Sequence, residues 1–506
     1  MKSPPGRIRT VPGRTDHVVV VGAGVSGLAA ALHLLGAGRS VTVLEREQHP
    51  GGRAGRADAD GFRMDTGPTV LTMPDLIEEA LAAVGDSLED RLDLVRLDPA
   101  YRARFADGSA IDVHTDADAM AEEIARTAGG RDAAGYLRLR AWLTRLYRVQ
   151  MRSFIDANFD SPLHLLTPQL ARLAAMGGFG RLAPAVGRFV ADERLRRIFS
   201  FQALYAGVAP QRALAAYAVI AYMDTVAGVF FPKGGMRALS DALADAVTHA
   251  GGTLHYGRDV RVLERRGERI TGVRTADGFR IGCDAVVLTP DLPVTYRLLG
   301  RTPWRPVPLR FSPSAVVLHA GVDGARPGTP HHTISFGAAW ERTFDEICRT
   351  GTPMSDPSLL ITRPTATDPG LAPPGHDLYY VLAPCPNLRT GRIDWEHTAD
   401  GYRDALVRTL EKRGLAGFGS AIVMERLSTP LDWARRGMAF GTPFSASHTF
   451  AQTGPFRPRN LVAGTGNAVL AGCGTTPGVG LPTALVSGKL AAARIVGEAA
   501  VRKGTR

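Results

Sequence analysis

Cysteine and lysine are the scarce residues of this chain. The four cysteines, Cys283, Cys348, Cys385 and Cys473, stand too far apart for a CxxC redox pair, a zinc cluster or a disulfide framework. A reducing, cytoplasmic setting is the resulting expectation. Of 60 basic residues only Lys2, Lys233, Lys412, Lys489 and Lys503 are lysine, so the net charge of +11 is carried by arginine. The arginines are scattered, with no basic run and no stripe interleaved with aromatics. That pattern predicts a solvated surface and no nucleic-acid partner. No apolar segment precedes Asp16, which excludes a signal peptide, and residues 1–15 are expected to form a loose tail. Two uncharged windows, Val18 to Gly38 and Asn460 to Gly488, are long enough to span a bilayer. Both are crowded with glycine, the second also with Thr and Pro, which fits turns about a cofactor better than a lipid-facing helix. At 506 residues and 45% apolar composition, two or more domains are expected.

What is present begins with a βαβ unit. HVVVV at 17–21 has the β-branched composition of a buried parallel strand, and Gly22-Ala23-Gly24-Val25-Ser26-Gly27 follows at once. A helical stretch ends at Gly36 and Gly38, and a second strand, 41–44, runs into Glu45. Gly22 allows the tight turn, Gly24 the approach of a pyrophosphate, and Gly27 the close packing of helix on strand. The helix N-terminus offers free N–H groups to phosphate. Glu45, 18 residues past Gly27, is placed to accept hydrogen bonds from ribose hydroxyls and would repel a 2′-phosphate. Those residues alone leave NAD and FAD open.

The next motifs are Glu45-Arg46, the Gly51-Gly52-Arg53 turn and Asp65-Thr66-Gly67-Pro68-Thr69. Together they resemble the flavoprotein group of amine oxidases, protoporphyrinogen oxidases and carotenoid desaturases. The resemblance implies FAD, with Gly52 and Arg53 beside the pyrophosphate, Gly67 and Pro68 near the flavin ring, and the Val260 backbone at the adenine. Near the carboxy terminus, Phe444-Ser445-Ala446-Ser447-His448 and the run Leu470 to Pro482 are specifically similar to bacterial phytoene desaturases, as are HHTISFG and the stretch beginning Thr367-Asp368-Pro369. Gly472, Gly478, Val479 and Gly480 are thereby expected along the flavin, where backbone N–H groups meet its anionic edge. One departure is Thr475-Thr476-Pro477-Gly478, where the family more usually has T-H-P-G. No histidine at that position is then available for the reaction.

Such a family implies an FAD-dependent desaturase of carotenoid biosynthesis that converts phytoene to lycopene by successive dehydrogenations. Hydride passes to flavin N5 and a proton leaves the adjacent carbon; a polyene spreads the positive charge, so no catalytic residue is assigned. From Arg457 to Arg506 there is no Phe, Trp, Tyr or His, where amine oxidases of this fold place an aromatic cage, so an aliphatic chamber is expected. Only one dinucleotide fingerprint is present, since Gly464-Thr465-Gly466 lacks the third glycine. Electrons are therefore expected to pass to oxygen or a quinone. Two alternatives stay open at this stage: a dehydrogenase acting on another polyene, and a flavin-free lipid-binding protein of the same fold.

The expected fold class is α/β, with a Rossmann-type FAD-binding domain from 16–110, 233–300 and 421–506. An Ala/Leu/Arg-rich helical domain at 111–232 and a β-rich substrate domain with a mixed sheet at 301–420 are interleaved with it. Within the helical insertion, the segments around 159–189 fit either a core helix pair or an amphipathic surface that dips into a membrane. Peripheral attachment to the membrane follows as the expected location. His331-His332 has no third ligand at a suitable spacing and is not assigned a metal. Arg152, Asp156 and Asp160 are read as surface residues.

Overall fold

The computed structural model describes residues 8–503. His17–Val21 forms the centre of a five-stranded parallel sheet. Ala285–Leu288 and Ala468–Leu470 follow on one side, and Ser40–Leu44 and Thr253–His255 on the other. Alternation along the central strand sorts its side chains between two layers. Val18 and Val20 pack beneath helix Val25–Gly36 and its neighbours Arg237–His249 and Leu481–Val496. Val19 and Val21 pack with Leu263, Ile270 and Val273 of the antiparallel meander Val260–Arg266, Arg269–Thr275 and Arg280–Gly282. Helix Leu481–Val496 approaches Val25–Gly36 so closely that a Cβ on Gly488 would lie 2.4 Å from the Ser26 carbonyl.

A second, seven-stranded mixed sheet runs in the order Ile422–Ser428, Ser314–Asp323, His376–Cys385, Leu359–Thr362, His332–Ser335, Tyr101–Arg104, Ala110–Val113. All its pairings are antiparallel except His332–Ser335 with Tyr101–Arg104. The expected boundaries at 110/111 and 420/421 are corrected here: Tyr101–Arg104, Ala110–Val113 and Ile422–Ser428 belong to this sheet. Tyr101–Arg104 and Ala110–Val113 are four residues each with one buried face. Their alternation would suit either sheet, and only tertiary pairing chooses between them.

The insertion is helical, led by Ala117–Ala128 and the 21-residue Gly130–Gln150, and then breaks into short segments as far as Ala227. Among the described residues no helix is long and apolar enough to cross a membrane. Residues 8–15, expected within a loose tail, are pinned. Val11 N–H donates to the Arg494 carbonyl at 2.8 Å, the Arg494 guanidinium donates to the Arg9 carbonyl at 2.7 Å, and Arg9 N–H donates to Asp160 at 2.7 Å. Residues 1–7 of that tail lie outside the described residues.

Candidate functional site: a glycine-lined groove opening into an apolar chamber

The turn after His17–Val21 leaves the chain no room for side chains. A Cβ on Gly27 would sit 2.0 Å from the Gly22 carbonyl, and one on Gly22, at φ +103°, 2.2 Å from the Thr289 hydroxyl. Beside Gly24 the nearest atoms to a Cβ are backbone of Gly51 and Gly52 at 3.9 Å, a cradle that a side chain would fill. Gly51 is bridged to Gly24, its N–H donating to the Ala23 carbonyl at 2.9 Å. Glu45 is buried at the end of Ser40–Leu44. It accepts from Ala23 N–H at 2.7 Å and from Glu47 N–H at 2.9 Å, so the loop itself orients it. Each oxygen retains further acceptor capacity toward the groove that Glu45 lines. Val260 lines the same groove from the start of its strand.

Arg53 reaches Asp291 at 3.2 Å, and Asp291 also accepts from Leu292 N–H and Ala439 N–H, both at 2.9 Å. Gly67 passes so close to this turn that a Cβ would lie 1.9 Å from the Arg53 carbonyl. Gly67 and Pro68 then face the carboxy-terminal loop across the cavity. That loop is stapled from behind by Arg457, a 1% exposed cation. It donates to the carbonyls of Thr475 at 2.9 Å, Cys473 at 2.6 Å and Ala446 at 3.1 Å. Burial lowers its pKa to about 10, still charged at neutral pH. Ser487 links the two arms of the loop, accepting from Gly472 N–H at 3.0 Å and donating to the Thr476 carbonyl at 2.7 Å.

A histidine does stand against this loop, although it is not at position 476. The ring of His448 fills the space over Gly478, where a Cβ would lie 2.1 Å from its Cε1, and Val479 N–H points to Nε2 at 3.4 Å. Burial, reinforced by Arg457, holds His448 well below its ordinary pKa and therefore neutral. Tyr217 meets the ring edge-on at 5.5 Å, its hydroxyl bonded to Thr453.

Eleven of the thirteen sequence-assigned residues line a single cavity of about 1060 Å³; Gly27 and Gly478 do not, Gly478 being covered by the His448 ring. Away from the glycines the cavity is walled by the helical insertion and the second sheet, with Val219, Ile220, Met223, Leu360 and Leu382. The expected aliphatic chamber is corrected. Tyr205, Tyr217, Tyr380, Phe154 and Trp433 line it, supplied by segments far from the ring-free terminus. Its outer end runs among Leu166, Phe179 and Phe450, which are 74%, 44% and 62% exposed. Asp156 and Asp160 are half-buried ion partners of Lys489 at 2.7 Å and Arg494 at 2.6 Å, while Arg152 is exposed. The His331 and His332 rings lie buried and bonded to Thr367 and Thr362. No cluster of three metal-ligating side chains occurs among the described residues. The sequence reading missed Asp224, Tyr205 and Tyr217, which carry no motif, and gave no role to His448 or Asp291.

The chain matches the family model for flavin containing amine oxidoreductases over residues 25–496. It is 69% identical to a phytoene dehydrogenase of Streptomyces griseus, over 96% of each chain. The chain belongs to the phytoene desaturase family. A zeta-carotene-forming phytoene desaturase of Myxococcus xanthus is 38% identical, over 95% of this chain and 94% of the relative. A lycopene-forming phytoene desaturase of Pseudescherichia vulneris is 35% identical, over 94% and 98%. The cofactor of this phytoene desaturase family member is FAD, and the open cradle at Gly24, the groove-facing Glu45 and the glycine-paved loop at 472–480 fit that group. The flavin-free lipid-binding alternative falls with it.

Proposed function

We propose that this chain is an FAD-dependent desaturase that converts phytoene to lycopene by successive dehydrogenations at a membrane surface. The observation that carries the reading is the continuity of one cavity. It joins a groove shaped for a dinucleotide to an apolar chamber whose outer end is ringed by exposed leucine and phenylalanine. A long hydrocarbon fits such a chamber, and a charged or small polar substrate would lose its hydration there without compensation.

Gly22, Gly24, Gly27, Gly52 and Arg53 would hold the pyrophosphate, Glu45 the ribose, and Val260 the adenine. Gly67 and Pro68 would border the flavin on one side and Gly472, Gly478, Val479 and Gly480 on the other. Bound flavin supplies a hydride acceptor. The chain positions the polyene, excludes water and holds its own buried charges fixed, Arg457 stiffening the loop without lining the chamber. Leu163 on the single helical turn Pro162–Leu165 and Leu166 just after it, 70% and 74% exposed, together with Phe179 and Phe450, would enter the lipid interface and admit the substrate laterally. Electrons leave to oxygen or a membrane quinone.

The relative named for zeta-carotene, at 38% identity, favours a second reading in which desaturation stops earlier. Co-expression with a phytoene source separates the readings. Extracted lycopene supports the first, zeta-carotene or neurosporene the second, and unchanged phytoene contradicts both.

A further inference from the structure

One ionisable group in the chamber wall has no partner that explains it. Asp224 lies in the turn Met223–Ala227, is 5% exposed and lines the cavity beside Met223 and Tyr205. Its only side-chain donor is Gln202, whose Nε2 stands 3.3 and 3.5 Å from the two carboxyl oxygens and is already committed to the Ile198 carbonyl at 3.0 Å. The buried Tyr101 hydroxyl has no side-chain hydrogen-bond partner beside it other than the same Gln202. The neighbouring cation, Arg140, donates to the Thr225 carbonyl at 3.4 Å and not to the carboxyl. A structural carboxylate in a protein interior is paired or fully hydrogen-bonded. Asp224 has no cation paired with it; only Gln202 and the N–H groups of its own turn, Asp224 and Thr225, reach its carboxyl, and it faces a cavity.

Its surroundings tie it to the cofactor end. Ala206, next to Tyr205, accepts from His448 N–H at 2.8 Å, and His448 covers Gly478. On the other side the chain leaving Asp224 pairs Phe230 N–H with the Leu71 carbonyl at 2.8 Å, just after Gly67 and Pro68.

We propose that Asp224 is the catalytic base of the desaturation, accepting the proton from the carbon adjacent to the one that loses hydride. This rests on the reading above. As the first C–H bond breaks, its electron pair leaves with hydrogen to the bound flavin and the substrate becomes a delocalised cation. The second C–H bond then breaks, its proton bonds to an Asp224 oxygen, and its electron pair becomes the new π bond. The carboxylic acid releases its proton to water as product leaves. The titratable groups facing Asp224 are Tyr101 and Tyr205. Burial, reinforced by the Asp224 charge, keeps both phenols neutral. Burial raises Asp224 itself to about 8, only partly offset by Gln202 and by the N–H groups of Asp224 and Thr225, so the working carboxylate appears as pH rises through that value.

The test uses FAD-loaded enzyme with phytoene in liposomes. Wild-type kcat/KM should climb as pH passes about 8. Asp224→Asn should lose about 100-fold in kcat with KM and flavin content retained and the pH limb gone. Asp224→Glu should recover part of the rate with the limb displaced. An infrared band of a protonated carboxyl, present in wild type at neutral pH, should be missing from Asp224→Asn. Wild-type kcat and an unmoved limb in Asp224→Asn would overturn the proposal alone. If that variant fails to hold FAD, an unmoved limb in Asp224→Glu overturns it equally. Wild-type holoenzyme that leaves phytoene intact overturns the desaturase reading and the proposal with it.

Discussion

Gly27 and Gly67 leave less room than any side chain occupies, at 2.0 and 1.9 Å from the carbonyls of Gly22 and Arg53. Alanine at either position must push backbone apart where the cofactor is to lie. Gly27→Ala or Gly67→Ala is expected to cost about 2 kcal/mol and to lower flavin content, read as the ratio of visible to ultraviolet absorbance of the purified protein. Asp224 gives a pH signature in stability as well as rate. Its folded pKa of about 8 lies above the ordinary 3.8, so the folded state holds the proton that the unfolded chain releases. The stability it contributes is complete below 3.8 and is lost as pH rises through about 8. The melting-temperature advantage of Asp224→Asn over wild type should therefore widen from acid to alkaline pH. The glycines were legible in the sequence because tight turns demand a residue type and a spacing. Asp224 was not legible, because an aspartate among Tyr222, Met223 and Thr225 looks the same whether its turn faces solvent or a chamber.

At the scale of elements, helix Leu481–Val496 is tied to the insertion by a buried polar network. Arg494 bonds Asp160 and Asn460, Asn460 donates to Asn158, and Asn158 donates to the Leu490 carbonyl. Arg494→Met strands Asn460 and the Arg9 carbonyl, and about 3 kcal/mol of stability should be lost in denaturant titration. The single helical turn Pro162–Leu165 and its flank make the opposite case, a surface that exposes what it should hide. Leu163→Asp with Leu166→Asp should abolish flotation with lipid vesicles while flavin content stays at the wild-type level. The βαβ opening was readable from periodicity. The four-residue strands Tyr101–Arg104 and Ala110–Val113, paired with each other, were not, since the pairing that places them, of Tyr101–Arg104 with His332–Ser335, spans more than two hundred residues of sequence.

Over the whole molecule, burial holds five histidines neutral, lowering His33 and His332 to about 3, His319 to about 4, and His331 and His448 well below the ordinary value. Each takes up a proton on unfolding below its ordinary value of 6.5, so the stability they lend is full above that pH and falls as pH drops toward about 4. Each such proton costs about 1.4 kcal/mol per pH unit. A steep loss of melting temperature on acidification should result, and His332→Gln should flatten it. The chamber's rings show where reading by segment stops. The terminal segment has none, yet Tyr205, Tyr217 and Tyr380 arrive from two other layers, because a cavity between domains is walled by whatever each presents to it.

The central claim is that this cavity brings a polyene and a flavin together for hydride transfer. Its most direct measurement is anaerobic addition of liposomal phytoene to purified, oxidised holoenzyme while the visible flavin band is followed. The account predicts that the band bleaches in step with the appearance of desaturated polyene and returns when oxygen or quinone is admitted. A band that stays unchanged while phytoene is bound would contradict it.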